Sequence, residues 1–83
     1  PSPQQRIRLL IAAAEKRRVY GPDAKAYGHY DTLLKEFPDY PDALKIYQQM
    51  LPLAQRLNNA TEIARCEKEI KRLGSTPAPA PKS

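Results

Sequence analysis

Ile7, Leu10, Ile11 and Ala14 fall three or four residues apart, the spacing that gathers side chains on one face of a helix. Ser2 and Pro3 stand ahead of them as start signals, so the pattern predicts a first helix over about 4–20, closed by Gly21 and Pro22. Ala26, Tyr30, Leu33 and Leu34 form a second stripe over 22–37, with Pro22 suited to a first turn and Asp23 able to cap free amides. Pro38 stops that helix. Pro38-Asp39-Tyr40-Pro41 reads as a tight turn, and a third helix over 41–57 follows with Leu44, Tyr47, Met50, Leu51 and Ala54 inward. Asn58 and Asn59 close it. The fourth stripe, Ile63, Cys66, Ile70 and Leu73, covers 60–73, with Lys71 and Arg72 in its last turn and Gly74 as its stop. No segment shows the two-residue alternation of a strand. The expected fold is all-α, with four antiparallel helices in one domain over 1–73.

Composition changes this picture at one end. Residues 74–83, GSTPAPAPKS, alternate proline with small residues and offer no apolar stripe, so they read as a tail or linker. The folded part then has about 70 residues, a size that buries only about 60% of its unfolded surface. A single cysteine and a single histidine exclude an internal disulfide and a multi-histidine metal site, the usual reinforcements of small domains. No apolar run approaches the roughly 20 residues of a membrane span.

The segment GPDAKAYGHYDTLLKEFPDYPDAL sets Ala26, Tyr30, Leu33 and Pro38 at intervals of four, three and five, after Gly21 and Asp23 in the preceding turn. This resembles the second helix of a tetratricopeptide repeat. Ala26 would let paired helices approach, Tyr30 would fill the gap to the next pair, and Pro38 would turn the chain back. Stepping 34 residues pairs Leu10 with Leu44 and Ala26 with Ala60, but Tyr30 meets Ala64, Leu33 meets Glu67, and Arg72 stands where a proline is expected. The resemblance therefore implies about two repeats, the second degenerate, built as two stacked helix-turn-helix hairpins. The alternative is a closed four-helix bundle. Such arrays need about three repeats, and the shortfall implies further repeats, a dimer or a host complex. LLKEFPDYPDAL is also similar to versions of the repeat in bacterial cell-envelope coordinators and outer-membrane assembly lipoproteins, which inclines the localisation towards the periplasm or cell envelope.

Charge is uneven along the chain. Residues 1–22 carry Arg6, Arg8, Lys16, Arg17 and Arg18 against Glu15 alone, residues 23–57 are close to neutral, and the whole chain is +5. A basic amphipathic helix suits acidic protein or phosphate. If the repeat resemblance holds, the concave face is lined by the first helix of each pair, which selects Arg8, Ile11, Glu15 and Arg18, then Asp42, Lys45 and Gln49. This mixed but cationic set suits an acidic peptide segment or a chain-terminal carboxylate, through charge-assisted hydrogen bonds.

No residue pattern points to catalysis or to a cofactor. His29 lacks an orienting partner and reads as a solvated surface residue, and Cys66 reads as a buried thiol on its helix stripe. Pro52, inside the third helix, reads as a kink that curves the helix around the core, and a second reading turns a freed carbonyl near Gln48 or Gln49 towards the groove. Tyr30 and Tyr47 belong to the core, leaving Tyr20, Tyr27 and Tyr40 for exposed contacts, with Tyr40 over the turn. The expected function is a non-enzymatic protein-interaction module, an accessory or scaffold piece of a larger assembly. The alternative is electrostatic nucleic-acid binding by the first helix, disfavoured by the absence of a reading motif.

Overall fold

Helix α1, Pro3–Tyr20, starts where its caps dictate. The Ser2 hydroxyl accepts from the Gln5 amide at 3.2 Å, and the Gln5 side chain accepts from the Ser2 amide at 2.9 Å, so two of the free first-turn donors are satisfied reciprocally. At the other end Gly21 takes φ +80°, a left-handed backbone that only glycine adopts without strain, and its amide reaches the Arg17 carbonyl at 2.6 Å. The computed structural model describes residues 2–74, and the proline- and alanine-rich segment 75–83 lies outside the described residues.

Three more helices follow: α2, Asp23–Glu36; α3, Ala43–Arg56; and α4, Ala60–Gly74. There is no strand among the described residues, and no helix is long and apolar enough to cross a membrane. Each helix packs on the next in sequence, α1 on α2, α2 on α3 and α3 on α4, while α1 and α4 are not packed on each other as closing a bundle would require. The arrangement is two antiparallel hairpins stacked through α2 and α3. All the buried apolar side chains except Ala54 belong to one cluster, which includes Leu10 and Ala14 on α1, Tyr30 and Leu33 on α2, Ile46, Met50 and Leu53 on α3, and Cys66 on α4.

Several boundaries and faces differ from the sequence expectation. Helix α3 begins at Ala43 rather than at residue 41, because Pro41 and Asp42 are spent in the turn that Pro38 opens. In that turn the amide of Tyr40 bonds the Phe37 carbonyl and the amide of Ala43 bonds the Tyr40 carbonyl, at 3.0 and 3.1 Å. Ala43, Ile46 and Leu53 join Met50 and Ala54 in the core, whereas Leu44, Tyr47 and Leu51 are only half-buried. The cause is that α3 has neighbours on two sides, so its buried arc is wider than one stripe. Helix α4 has one neighbour of this kind, and only Cys66 of its stripe is fully covered.

The two-residue delay of α3 also resets the spacing between the hairpins. At 34 residues, buried Ala26 and Leu33 face exposed Ala60 and Glu67. At 36 residues, Leu10 matches Ile46, Ala14 matches Met50 and Tyr30 matches Cys66, all six buried.

The Asn58-Asn59 pair divides its work. Asn58 takes φ +54°, and its amide and that of Asn59 bond the Gln55 and Ala54 carbonyls at 3.0 and 3.1 Å, closing α3. The Asn59 side chain then accepts from the Glu62 amide at 3.2 Å and caps α4. Gly74, expected as a left-handed stop, is the last helical residue of α4 without a positive φ. Pro52 sits on the exposed side of α3, as does Gln48, whose carbonyl the missing amide deprives of a donor.

Two substitutions separate core from surface. Leu53→Ala, at a fully buried position, is expected to lower unfolding free energy by about 2–5 kcal/mol in denaturant titration. Pro52→Ala restores a helical hydrogen bond without disturbing packing and is expected to raise it by about 1–3 kcal/mol.

Candidate functional site

Helices α1 and α3 border a groove whose floor is apolar and whose rim is charged. Ile11 and Glu15 come from α1, Tyr30 from α2, Tyr40 from the interhelical turn, and Asp42, Lys45, Ile46 and Gln49 from the start and first turns of α3. Its volume is about 190 Å³, below the roughly 300–1,000 Å³ of pockets that enclose small-molecule ligands. That space suits one or two side chains of a peptide better than a metabolite.

Tyr30 ties the groove to the core. The residue is 2% exposed, burial pushes its phenol above the ordinary range, and the nearby Arg18 guanidinium pulls the other way. The phenol therefore stays protonated and able to donate at neutral pH. Of the seven residues expected on a concave face, Ile11, Glu15, Asp42, Lys45 and Gln49 line this groove, and Arg18 lies near Tyr30 without lining it. Arg8 is exposed and does not line it. The lining carries two carboxylates against the Lys45 ammonium, so the groove is less cationic than the seven residues together.

Tyr30, Tyr40 and Ile46 are groove residues that the helical pattern did not single out. Tyr30 was assigned to the core, and it serves both roles. Ile46 follows from the wider buried arc of α3. Tyr40 borders this groove and two further clefts, one of about 400 Å³ reaching Tyr47 and Leu73, the other of about 380 Å³ reaching Ile7 and Phe37. The Gln48 carbonyl freed by Pro52 belongs to a residue outside the groove lining.

A second polar cluster joins α2 to α4. The Tyr27 hydroxyl donates to Glu62 and lies 3.7 Å from the Cys66 sulfur. Arg65 donates to the Tyr27 oxygen at 3.2 Å, to Asp31 at 2.7 Å and to Glu62 at 2.9 Å, and its guanidinium stands 5.9 Å from the centre of the Tyr47 ring. Tyr27 is therefore half-buried and engaged, contrary to its reading as an exposed contact. Burial pushes the Cys66 thiol up, so it stays protonated and packs as a small apolar group. His29 is half-buried rather than fully solvated.

Two exposed ion pairs brace the hairpins, Arg6 to Glu36 at 2.8 Å within the first and Arg56 to Asp23 at 3.0 Å between them. Asp23 was expected as a helix cap; it has no capping hydrogen bond and holds Arg56 through both carboxylate oxygens instead. No family model matches the chain, and no curated protein or solved structure does.

Glu62, Glu36 and Asp23 are held below their ordinary values by Tyr27, Arg6 and Arg56 respectively. The folded chain then binds fewer protons than the unfolded chain as pH falls through the carboxylate range, so this stability is complete above that range and is lost on acidification. Denaturant midpoints are expected to fall from about pH 5 downwards, and Glu62→Gln is expected to flatten that dependence. Tyr27→Phe removes the hydroxyl from the α2–α4 cluster and is expected to cost about 1–2 kcal/mol at neutral pH.

Proposed function

We propose that the chain is a tetratricopeptide-like helical module that binds a protein partner and performs no chemistry of its own. The observation that carries this reading is the α1–α3 groove, where an apolar floor of Ile11, Ile46 and Tyr30 is ringed by Glu15, Lys45, Asp42 and Gln49. A peptide segment would place one apolar side chain on that floor, while its backbone and flanking polar groups meet the rim. The module acts as an accessory or scaffold piece of a larger assembly.

Both charge signs on the rim favour a segment that itself carries a polar or mixed pair of residues beside its anchor. The exposed Gln49 amide supplies hydrogen bonds that do not depend on charge. The expected affinity is modest, because a groove this small desolvates one anchor and little else.

Selection of random peptides on the immobilised chain tests the proposal. Enriched peptides are expected to share one large apolar residue, and their addition should shift the NMR signals of Ile11, Tyr30 and Ile46. Exchanging the rim charges, Glu15→Lys with Lys45→Glu, is expected to weaken the selected peptides about tenfold, or about 1.4 kcal/mol. Enrichment of no sequence, or shifts confined to other surfaces, would remove the groove from the reading.

A further inference from the structure

Helix α1 is apolar on two sides. Leu10 and Ala14 face α2, yet Leu9, Val19 and Tyr20 are 61%, 64% and 81% exposed, and of the large apolar residues that stand out from the surface only Leu57 lies elsewhere among the described residues. Leu9, Ala12, Lys16 and Val19 follow one another at three- and four-residue intervals, and Tyr20 comes four residues after Lys16. At 100° per residue they share an arc of about 100° on the side away from the core. The stripe is about 17 Å long at 1.5 Å per residue, or three turns of helix. The small Ala12 at its centre allows another helix to approach closely, with Leu9 and Tyr20 as anchors at either end.

The one charge within this arc is positive, that of Lys16. Arg8 lies about 20° beyond the edge of the stripe and Glu15, the sole carboxylate of α1, about 20° further round, where it lines the groove; neither Arg8 nor Lys16 is in an ion pair among the described residues. Two alternatives fit less well. A second copy docked through the same stripe would bring a Lys16 from each copy into one interface with no carboxylate within the stripe to offset them, in a chain already at +5. A second copy docked head to tail would offer α4, whose exposed side presents Ala64, Glu67, Lys68 and Lys71 and no large apolar group. A lipid surface would use bulky side chains along the whole stripe, where α1 has alanine at the centre.

We propose that the outer face of α1 is a second docking surface, separate from the α1–α3 groove, and that it takes an acidic amphipathic helix of a partner protein. The partner's apolar stripe packs between Leu9 and Tyr20, and its flanking carboxylates pair with Arg8 and Lys16.

The test titrates the whole chain into a fluorescently labelled synthetic helix with leucines at three- and four-residue spacing and glutamates beside them. A second peptide has lysine for glutamate. The glutamate peptide is expected to bind at micromolar concentration, and the lysine peptide at least about tenfold more weakly. Leu9→Ser with Val19→Ser should weaken the glutamate peptide at least about tenfold with the circular dichroism spectrum unchanged, since both residues are exposed. Arg8→Glu with Lys16→Glu should reverse the preference between the peptides. The groove variant Lys45→Glu should change nothing, which separates failure of this surface from failure of the groove. Equal binding of both peptides, no binding at about 100 µM, or binding indifferent to the Leu9 and Val19 changes would overturn the proposal. Stripe-dependent binding to phosphatidylserine vesicles tighter than to the glutamate peptide, or stripe-dependent dimerisation in sedimentation, would overturn it in favour of lipid or self-association.

Discussion

The packing of α2 on α3 is the contact on which the rest of the structure depends. Leu33, Met50 and Leu53 are fully enclosed and Tyr30 nearly so, and they belong to the cluster that joins the two hairpins. Neither hairpin has enough buried surface to be stable by itself at this length, because burial rises steeply with chain size and the described part has only 73 residues. The joint also sets the geometry of the groove. Tyr30 belongs to the core and also lines the groove, so the same residue that holds the hairpins together shapes the surface between α1 and α3.

Polar contacts refine this arrangement. Arg65 draws Asp31, Tyr27 and Glu62 into one cluster across α2 and α4, and Asp23 receives Arg56 from the far end of α3. Exposed ion pairs of this kind contribute little individually. Their value here is directional, since Arg65–Asp31 and Arg56–Asp23 each span the two hairpins and favour one stacking angle over others of similar apolar burial. The helix ends work in the same sense: a reciprocal Ser2–Gln5 cap starts α1, and Asn58 followed by Asn59 turns α3 into α4 through a connection of three residues, Leu57 to Asn59.

Much of this was legible in the sequence. Four stripes at helical spacing, with Pro22, Pro38 and the asparagine pair between them, give four helices and nearly their limits. What was not legible follows from position in the stack. A stripe shows which face of a helix is apolar but not how many neighbours will cover it, so Ile46 and Leu53 were not distinguished from Leu44 and Leu51. Proline marks where a helix must stop, but two prolines around Asp39 and Tyr40 do not show how many residues the turn will consume, and so the match at 34 residues became one at 36. For the groove, the pattern found five of the lining residues because they step along α1 and α3. It did not find Tyr30 or Tyr40, whose places depend on α2 and on the turn. Arg8 and Lys16 looked like part of one basic helix; in the fold Lys16 falls on the outer side of α1, while Arg8 stays at the border of that side, next to the row that holds Glu15.

Native-state hydrogen exchange tests the stacked-hairpin account most directly. Helices α2 and α3, each covered on two sides, are expected to share the slowest amide exchange, with α1 and α4 opening more readily at either end of the stack. Leu33→Ala should speed exchange in both hairpins together. Equal protection of all four helices, or a first hairpin that keeps its protection when Leu33 is truncated, would contradict the account.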